Sequence, residues 1–293
     1  MIQTLAPDLR CIRAPNPSPM TEKGTNTYLL GRTDIALIDP GPKDTKHLEA
    51  ILTALSPGQR ISHILVTHSH HDHSGLVPEL AQATDAPVYG FGPSHAGRSA
   101  LMDRLAQDNT LAGGEGIDPD FAPDVILPDL TQIAGTDWSL TAHWTPGHMA
   151  NHLSFEWHEG RALFTGDIVM GWASSLISPP DGDVGQFFTS LDRLESVNAD
   201  ILFAGHGTPI HAPRDRIEWL RTHRTERLRA AQAALTRDPQ NLEALIPHLY
   251  ADVPQKMWPA AARNLLATLI ELENRGVCQS DPAPGLNAHF RLP

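Results

Sequence analysis

Ile61-Ser62-His63-Ile64-Leu65-Val66-Thr67-His68-Ser69-His70-His71-Asp72-His73 is the stretch on which the reading of this chain turns. A largely apolar run from Ile61 to Val66 feeds directly into four potential metal ligands, His68, His70, Asp72 and His73, within six positions. Neither propensity nor solvation accounts for such a cluster. A metal does, because divalent zinc accepts imidazole nitrogen and carboxylate oxygen at about 2.0–2.2 Å. A lone H-x-H means little, whereas H-x-H-x-D-H at the end of a strand is specific.

The same design recurs downstream. Thr145-Pro146-Gly147-His148, Thr165-Gly166-Asp167 and Ala204-Gly205-His206-Gly207 each follow an apolar strand with small residues and then one potential ligand. Glycine permits close backbone approach and unusual dihedrals there, so the ligand can turn inward. Upstream, Thr27–Leu30 and Ile35–Asp39 read as a hairpin ending in Asp39-Pro40-Gly41-Pro42. Leu48, Ile51, Leu52 and Leu55 recur at helical spacing, and another helix is expected through Leu76, Leu80 and Ala83. Val88-Tyr89 begins a short strand, and Gly90–Ala122 reads as a long, partly helical insertion. Strands are then expected at Ser139–Trp144, Leu153–Trp157, Ala162–Thr165 and Ile201–Phe203, with a helix at Phe187–Leu194. Two helix-covered sheets would bury these short apolar strands well.

The texture changes at Pro213. An arginine-rich helix is expected over Ile217–Leu235, then helices at Leu242–Leu249 and Pro259–Arg275, then a hairpin from Val277–Gln279 and Ala288–Leu292. Three helices followed by a hairpin is the order of a winged helix. The division is therefore 1–212 and 213–293. The net charge of −12 argues against general nucleic-acid binding. From Pro213 onward, however, eleven basic and nine acidic residues leave a local excess of +2. No run reaches the roughly 18 apolar residues of a membrane span, and the N-terminus lacks the pattern of a signal peptide. With only Cys11 and Cys278, far apart, a reduced, cytoplasmic protein is expected.

Asp39, the histidine cluster, His148, Asp167 and His206 match, in order and approximate spacing, the five motifs of the metallo-beta-lactamase superfamily, which residues from about 20 to 212 resemble. The resemblance implies an α/β fold, a four-layer αββα sandwich with metals at one sheet edge. It implies two zinc ions, with iron and manganese compatible. His68, His70 and His148 would hold one, Asp72, His73 and His206 the other, and Asp167 would bridge them. Asp72 and Asp39 are the implied catalytic carboxylates, Asp39 acting by orienting ligands. Gly24-Thr25-Asn26-Thr27-Tyr28-Leu29, Pro179-Pro180-Asp181-Gly182-Asp183, His206-Gly207-Thr208-Pro209-Ile210 and His223-Arg224 further resemble the beta-lactamase-like protein 2 family, whose members carry a winged-helix-like C-terminal domain. Some members of that family cleave single-stranded RNA.

The expected reaction is metal-assisted hydrolysis by a zinc-bridging hydroxide, with no serine or cysteine nucleophile. The full-length resemblance and the arginine helix favour RNA phosphodiesters as the substrate; the alternative is a small ester, thioester or lactone, as in glyoxalase-II-like relatives, and an iron-dependent oxidoreductase comes last. The diiron branch usually has glutamate where this chain has His70, and no flavin-binding segment is evident. No protein partner is implied. Trp172, Ser174, His152, Arg221 and Arg224 are the candidate substrate contacts; His152 and the arginines have competing structural readings. His71 reads as a solvated neighbour of the cluster.

Overall fold

The computed structural model describes residues 2–107, 111 and 116–293. Two hairpins start the first sheet: β1 (Ile2–Ala6) pairs with β2 (Leu9–Arg13), and β3 (Asn26–Leu30) with β4 (Asp34–Ile38). Helix α1 (Thr45–Thr53), capped by the Asp44 carboxylate, crosses to β5 (Arg60–Leu65), which lies parallel to β4. Then come α2 (His71–Ser74), α3 (Val77–Thr84), β6 (Val88–Gly90), α4 (Ala100–Ala106) and β7 (Val125–Ile126). Spatial order equals chain order across this seven-stranded sheet.

The second sheet is an antiparallel meander of β8 (Thr131–Ala134), β9 (Ser139–Trp144), β10 (Leu153–Trp157) and β11 (Ala162–Gly166). Helix α5 (Val184–Ser196) returns the chain to β12 (Ile201–Ala204), parallel to β11. Tyr28, Ile38 and Leu65 from the first sheet share one buried cluster with Leu140, Phe155 and Phe164 from the second. The opposite face of the first sheet packs Ile35, Leu37 and Ile64 on Ile51 and Leu80 of its helices. The second sheet packs Leu163 and Leu202 on Phe187 and Leu191 of α5. The expected helix–sheet–sheet–helix order results.

The tail contains α6 (Pro213–Ala234), β13 (Gln240–Asn241), α7 (Leu242–Leu249), α8 (Trp258–Asn274), β14 (Gln279–Asp281) and β15 (His289–Arg291), the strands ordered β13-β15-β14. α6 serves both parts. Ile217 and Leu220 join the core beneath the second sheet, whereas Leu228 and Ala231 join the tail's own core around Leu265, Leu269 and Phe290. Met102 and Leu105 of α4 pack into that tail core too.

Strands β1, β2, β7, β8 and the two-residue β13 were not expected from the sequence. β1 and β7 lie at the edge with mostly exposed side chains, and β8 is half exposed, so none shows a clear apolar alternation. β2 is buried, but Arg10 and Arg13 interrupt its pattern. Part of the insertion expected over 90–122, namely 108–110 and 112–115, lies outside the described residues.

The layers give a stability contrast. Phe155→Ala, in the fully buried inter-sheet core, should destabilise by about 3–5 kcal/mol in urea unfolding. Ile126→Ala, at an exposed edge, should change it by no more than about 0.5 kcal/mol.

Candidate metal centre

Five strands deliver the candidate site residues from their C-terminal ends: β4 leads to Asp39, β5 to the histidine cluster, β9 to His148, β11 to Asp167 and β12 to His206. Two backbone positions explain the glycines of the motifs. Gly147 has φ +133°, and a Cβ there would lie 2.5 Å from the Phe187 Cα. At Gly205 a Cβ would lie 2.5 Å from Asp167 Oδ1 and 2.6 Å from His73 Cε1, so only hydrogen fits between the side chains.

The ligand atoms of His68, His70 and His148 form one tight group, and those of Asp72, His73 and His206 another. His70 Nδ1 lies 3.0 Å from His68 Nε2 and 3.1 Å from His148 Nε2. His206 Nε2 lies 3.2 Å from Asp72 Oδ2 and 3.3 Å from His73 Nε2. Asp167 stands between the groups, with Oδ2 3.3 Å from His206 Nε2 and 3.8 Å from His148 Nε2. Its Oδ1 is buried without a hydrogen-bond partner.

Neighbouring acceptors set the tautomers. His148 Nδ1 donates to Leu176 O at 2.7 Å, and His73 Nδ1 donates to Asp39 Oδ2 at 2.8 Å. The Thr67 hydroxyl donates to Asp39 at 2.8 Å and accepts from His68 Nδ1 at 3.0 Å. In their neutral forms His148, His73 and His68 would thereby turn three Nε2 lone pairs toward the cluster, the arrangement that orients metal-ligating imidazoles. Converging lone pairs beside an orphaned buried carboxylate oxygen fit a divalent cation of nitrogen and oxygen preference.

Electrostatics splits the cluster. Burial, reinforced by His148, pushes His70 down to about 3. Burial also disfavours charge on His73 and His206, yet carboxylates outweigh it. Asp72, Asp167 and Asp39 bring His73 up to about 9, and Asp167 and Asp72 bring His206 up to about 11. In return, and against the cost of burial, His73 and His206 hold Asp72 and Asp167 below the ordinary carboxylate range.

A chamber of about 510 Å3 opens over this cluster, within the roughly 300–1,000 Å3 of small-molecule sites. Asp72 faces it with a side chain 27% exposed, against 9% for Asp167 and 2% for Asp39. Trp172 and Ser174 line it, as does the exposed His71. His152 does not. It is fully buried, its Nδ1 paired with the Thr145 hydroxyl and its Nε2 accepting from the Asp167 amide, so the substrate-contact expectation is corrected to a structural one.

Arg221 and Arg224 are corrected too. Arg221 pairs with Asp192, Glu195 and Glu218. Arg224 is buried, donating to Ser175 O and to Asn264 Oδ1. Burial lowers its guanidinium to about 10, so it stays charged at neutral pH. Arg216 donates to Met170 O and Ala173 O, both at 2.6 Å. Two turns apart on α6, Arg216 and Arg224 thus fasten the loop after Asp167. That loop supplies Leu176 O to His148, and the Ser175 hydroxyl donates to Asp167 O.

A family profile described as the metallo-beta-lactamase superfamily matches residues 20–206. The chain belongs to that superfamily of hydrolases. A second profile, the beta-lactamase associated winged helix domain, matches residues 242–283. A Drosophila melanogaster beta-lactamase-like protein 2 homolog is 30% identical, covering 89% of this chain and 86% of its own. An Aspergillus fumigatus relative, named atrochrysone carboxyl ACP thioesterase, is 28% identical over 74% of this chain and 61% of its own. A metallo-beta-lactamase family protein from Thermus thermophilus superposes with a TM-score of 0.79 at 27% identity, covering 99% of this chain and all of its own.

Sequence reading missed what supports the site. Asn26 Nδ2 donates to Ala204 O and Gly207 O, and the Tyr28 hydroxyl donates to Ala204 O at 2.6 Å, holding the loop that carries His206. The Gly24–Leu29 motif signalled the place without the partner. Tail residues Tyr250, Val253, Met257, Ala260 and Ala261 line the chamber, and no local pattern announces them.

The two arginines should separate in unfolding experiments. Arg224→Met leaves buried acceptors unpaired and should cost about 1–3 kcal/mol. Arg221→Ala breaks only largely exposed pairs and should cost about 0–1 kcal/mol in the same urea titration.

Proposed function

We propose that this superfamily hydrolase uses two zinc ions to cleave a small ester or thioester. His68, His70 and His148 would hold one ion, Asp72, His73 and His206 the second, and Asp167 both. The convergence of seven nitrogen and carboxylate ligands carries the reading, since one catalytic zinc needs only three protein ligands. Bound there, such ions lower the pKa of water and polarise the substrate's acyl oxygen.

The chain's own groups do the rest. Asp39 fixes His73 from behind and does not line the chamber. Asp72, the most open carboxylate, is the group we assign to take the proton that water loses as its oxygen bonds to the acyl carbon. The C–O or C–S bond then breaks, and the departing alcohol or thiol takes up a proton. Trp172 and Ser174 would contact the substrate from the loop.

Substrate preference follows from the arginines. RNA cleavage drew its physical support from the α6 helix, but Arg216, Arg221, Arg224 and Arg227 are engaged by carbonyls, amides or carboxylates. They offer little to phosphates, which dominate nucleic-acid affinity. The thioesterase name of the fungal relative favours the acyl reading further. We also place the division between catalytic unit and tail near residue 212, with α6 spanning both cores. Two buried free cysteines suit a reducing, cytoplasmic setting. Among the described residues no helix is long and apolar enough to cross a membrane.

Elemental analysis of protein purified without chelator should find about two zinc ions per chain. Asp167→Ala should lose metal and lower thioester turnover by more than about a hundredfold. Full metal occupancy in that variant would sink the bridging role. Cleavage of single-stranded RNA with thioesters and lactones untouched would restore the nuclease reading. Iron with oxygen-dependent turnover would support the oxidoreductase instead.

Charge supplies a separate check. His73 and His206 are protonated at pH 7 when their pKa values are about 9 and about 11. Zinc added to chelator-stripped protein should then displace about two protons per chain at pH 7. Because the protons compete below those values, zinc affinity should rise from pH 6 to pH 8. Calorimetry in buffers of different ionisation enthalpy counts the protons; none released would refute the assignment.

A further inference from the structure

We infer that the chamber wall built by the α7–α8 corner of the tail is an acyl-binding site, selecting substrates with an extended apolar acyl group; this rests on the ester or thioester reading above. Val253, Met257, Ala260 and Ala261 come from the tail, facing the floor formed by His70, Asp72, His148 and His206. A carbonyl that reaches the floor leaves one side of the substrate lying against this wall.

The lining decides which side. Among the described residues the chamber lining contains no lysine or arginine, so away from the ligand cluster on the floor a phosphate-bearing carrier finds no protein cation to pair with. An apolar acyl group does find a matching surface. The carrier therefore points out of the mouth, where exposed Met20 and Trp172 stand.

Two features of the wall set selectivity. Ala260 and Ala261, in the first turn of α8, keep the chamber deep, because any longer side chain at Ala260 would occupy it. Met20, Met170 and Met257 are half of the chain's six methionines, and all three line this one space. Their unbranched thioethers repack around differing shapes, which fits a site reading length and apolarity rather than one fixed outline. Tyr250 and Asn264 add a polar edge, but Asn264 Nδ2 already donates to the Tyr250 hydroxyl at 3.1 Å.

Full-length zinc-loaded protein tests this in two arms. In the first, kcat/KM is compared for acetyl and octanoyl thioesters of N-acetylcysteamine. Each methylene moved from water into an apolar site is worth about fourfold, so octanoyl should exceed acetyl by more than about tenfold. Ala260→Leu should lower that ratio at least fivefold. Met257→Ala, which trims the wall at a half-exposed position without threatening the fold, should lower it severalfold. Equal rates for the two thioesters, or a ratio unmoved by both variants, would overturn the assignment. In the second arm, calorimetry compares octanoate with acetate. Octanoate binding no tighter than acetate overturns the acyl site even if thioesters are cleaved. Tighter octanoate binding, reduced by Ala260→Leu, upholds the site even if no thioester is hydrolysed, and then the hydrolytic reading alone fails.

Discussion

Imidazole nitrogens that approach within 3.0–3.3 Å of one another, beside two carboxylates and largely out of water, are the constraint to which the rest of the structure answers. No distribution of protons satisfies every one of those atoms, and an orphaned oxygen on Asp167 remains. Buried polar atoms without partners are costly, whereas a cation satisfies them together. The surroundings hold this unfavourable convergence in place. Asp39 ties Thr67 and His73, Leu176 O backs His148, and Asn26 with Tyr28 anchors the loop before His206. Several strands ending at one edge make this affordable, because each supplies a rigid stem for one or a few ligands.

The tail is bound into the same problem. Its helix α6 sends Arg216 and Arg224 inward to the carbonyls of the loop that follows Asp167, and that loop backs His148. A guanidinium suits the task because its planar set of donors can hold a carbonyl and an amide oxygen at once. Arg224 does so with Ser175 O and Asn264 Oδ1, linking the loop to α8. These inward-facing arginines keep their charge, but their donors are already committed to protein acceptors.

The clustering of the candidate ligands was legible in the sequence because most of these residues are announced locally, by an apolar strand, a small residue and then histidine or aspartate. Asp39 was legible for the same reason, its strand ending in a turn. The layered sandwich followed from the alternation of strands and helices, and the winged helix from three helices before a hairpin. What stayed hidden has no local signature. The partners of Arg216 and Arg224 are mostly backbone carbonyls, which any residue could supply. His152 lies four positions after His148 and looks like a second site histidine, yet its neighbours Thr145 and the Asp167 amide consume both nitrogens. The chamber wall is the clearest omission: Val253, Met257 and Ala260 are ordinary apolar residues until the fold sets them over ligands from residues 68–206.

That separation in sequence carries a consequence for chemistry. The centre needs a fixed set of charged and imidazole side chains, so it tolerates little change, whereas the wall needs only apolar residues of suitable size. Substitutions at Ala260 or Met257 touch none of the ligand-holding hydrogen bonds, and substitutions in the 170–176 loop touch several. On the proposed acyl reading, substrate range would drift through the tail while the ligand cluster stays intact. The loop, like α6, joins the two parts: Arg216 and Arg224 hold it from the tail side, and it in turn holds His148 through Leu176 O and Asp167 through the Ser175 hydroxyl.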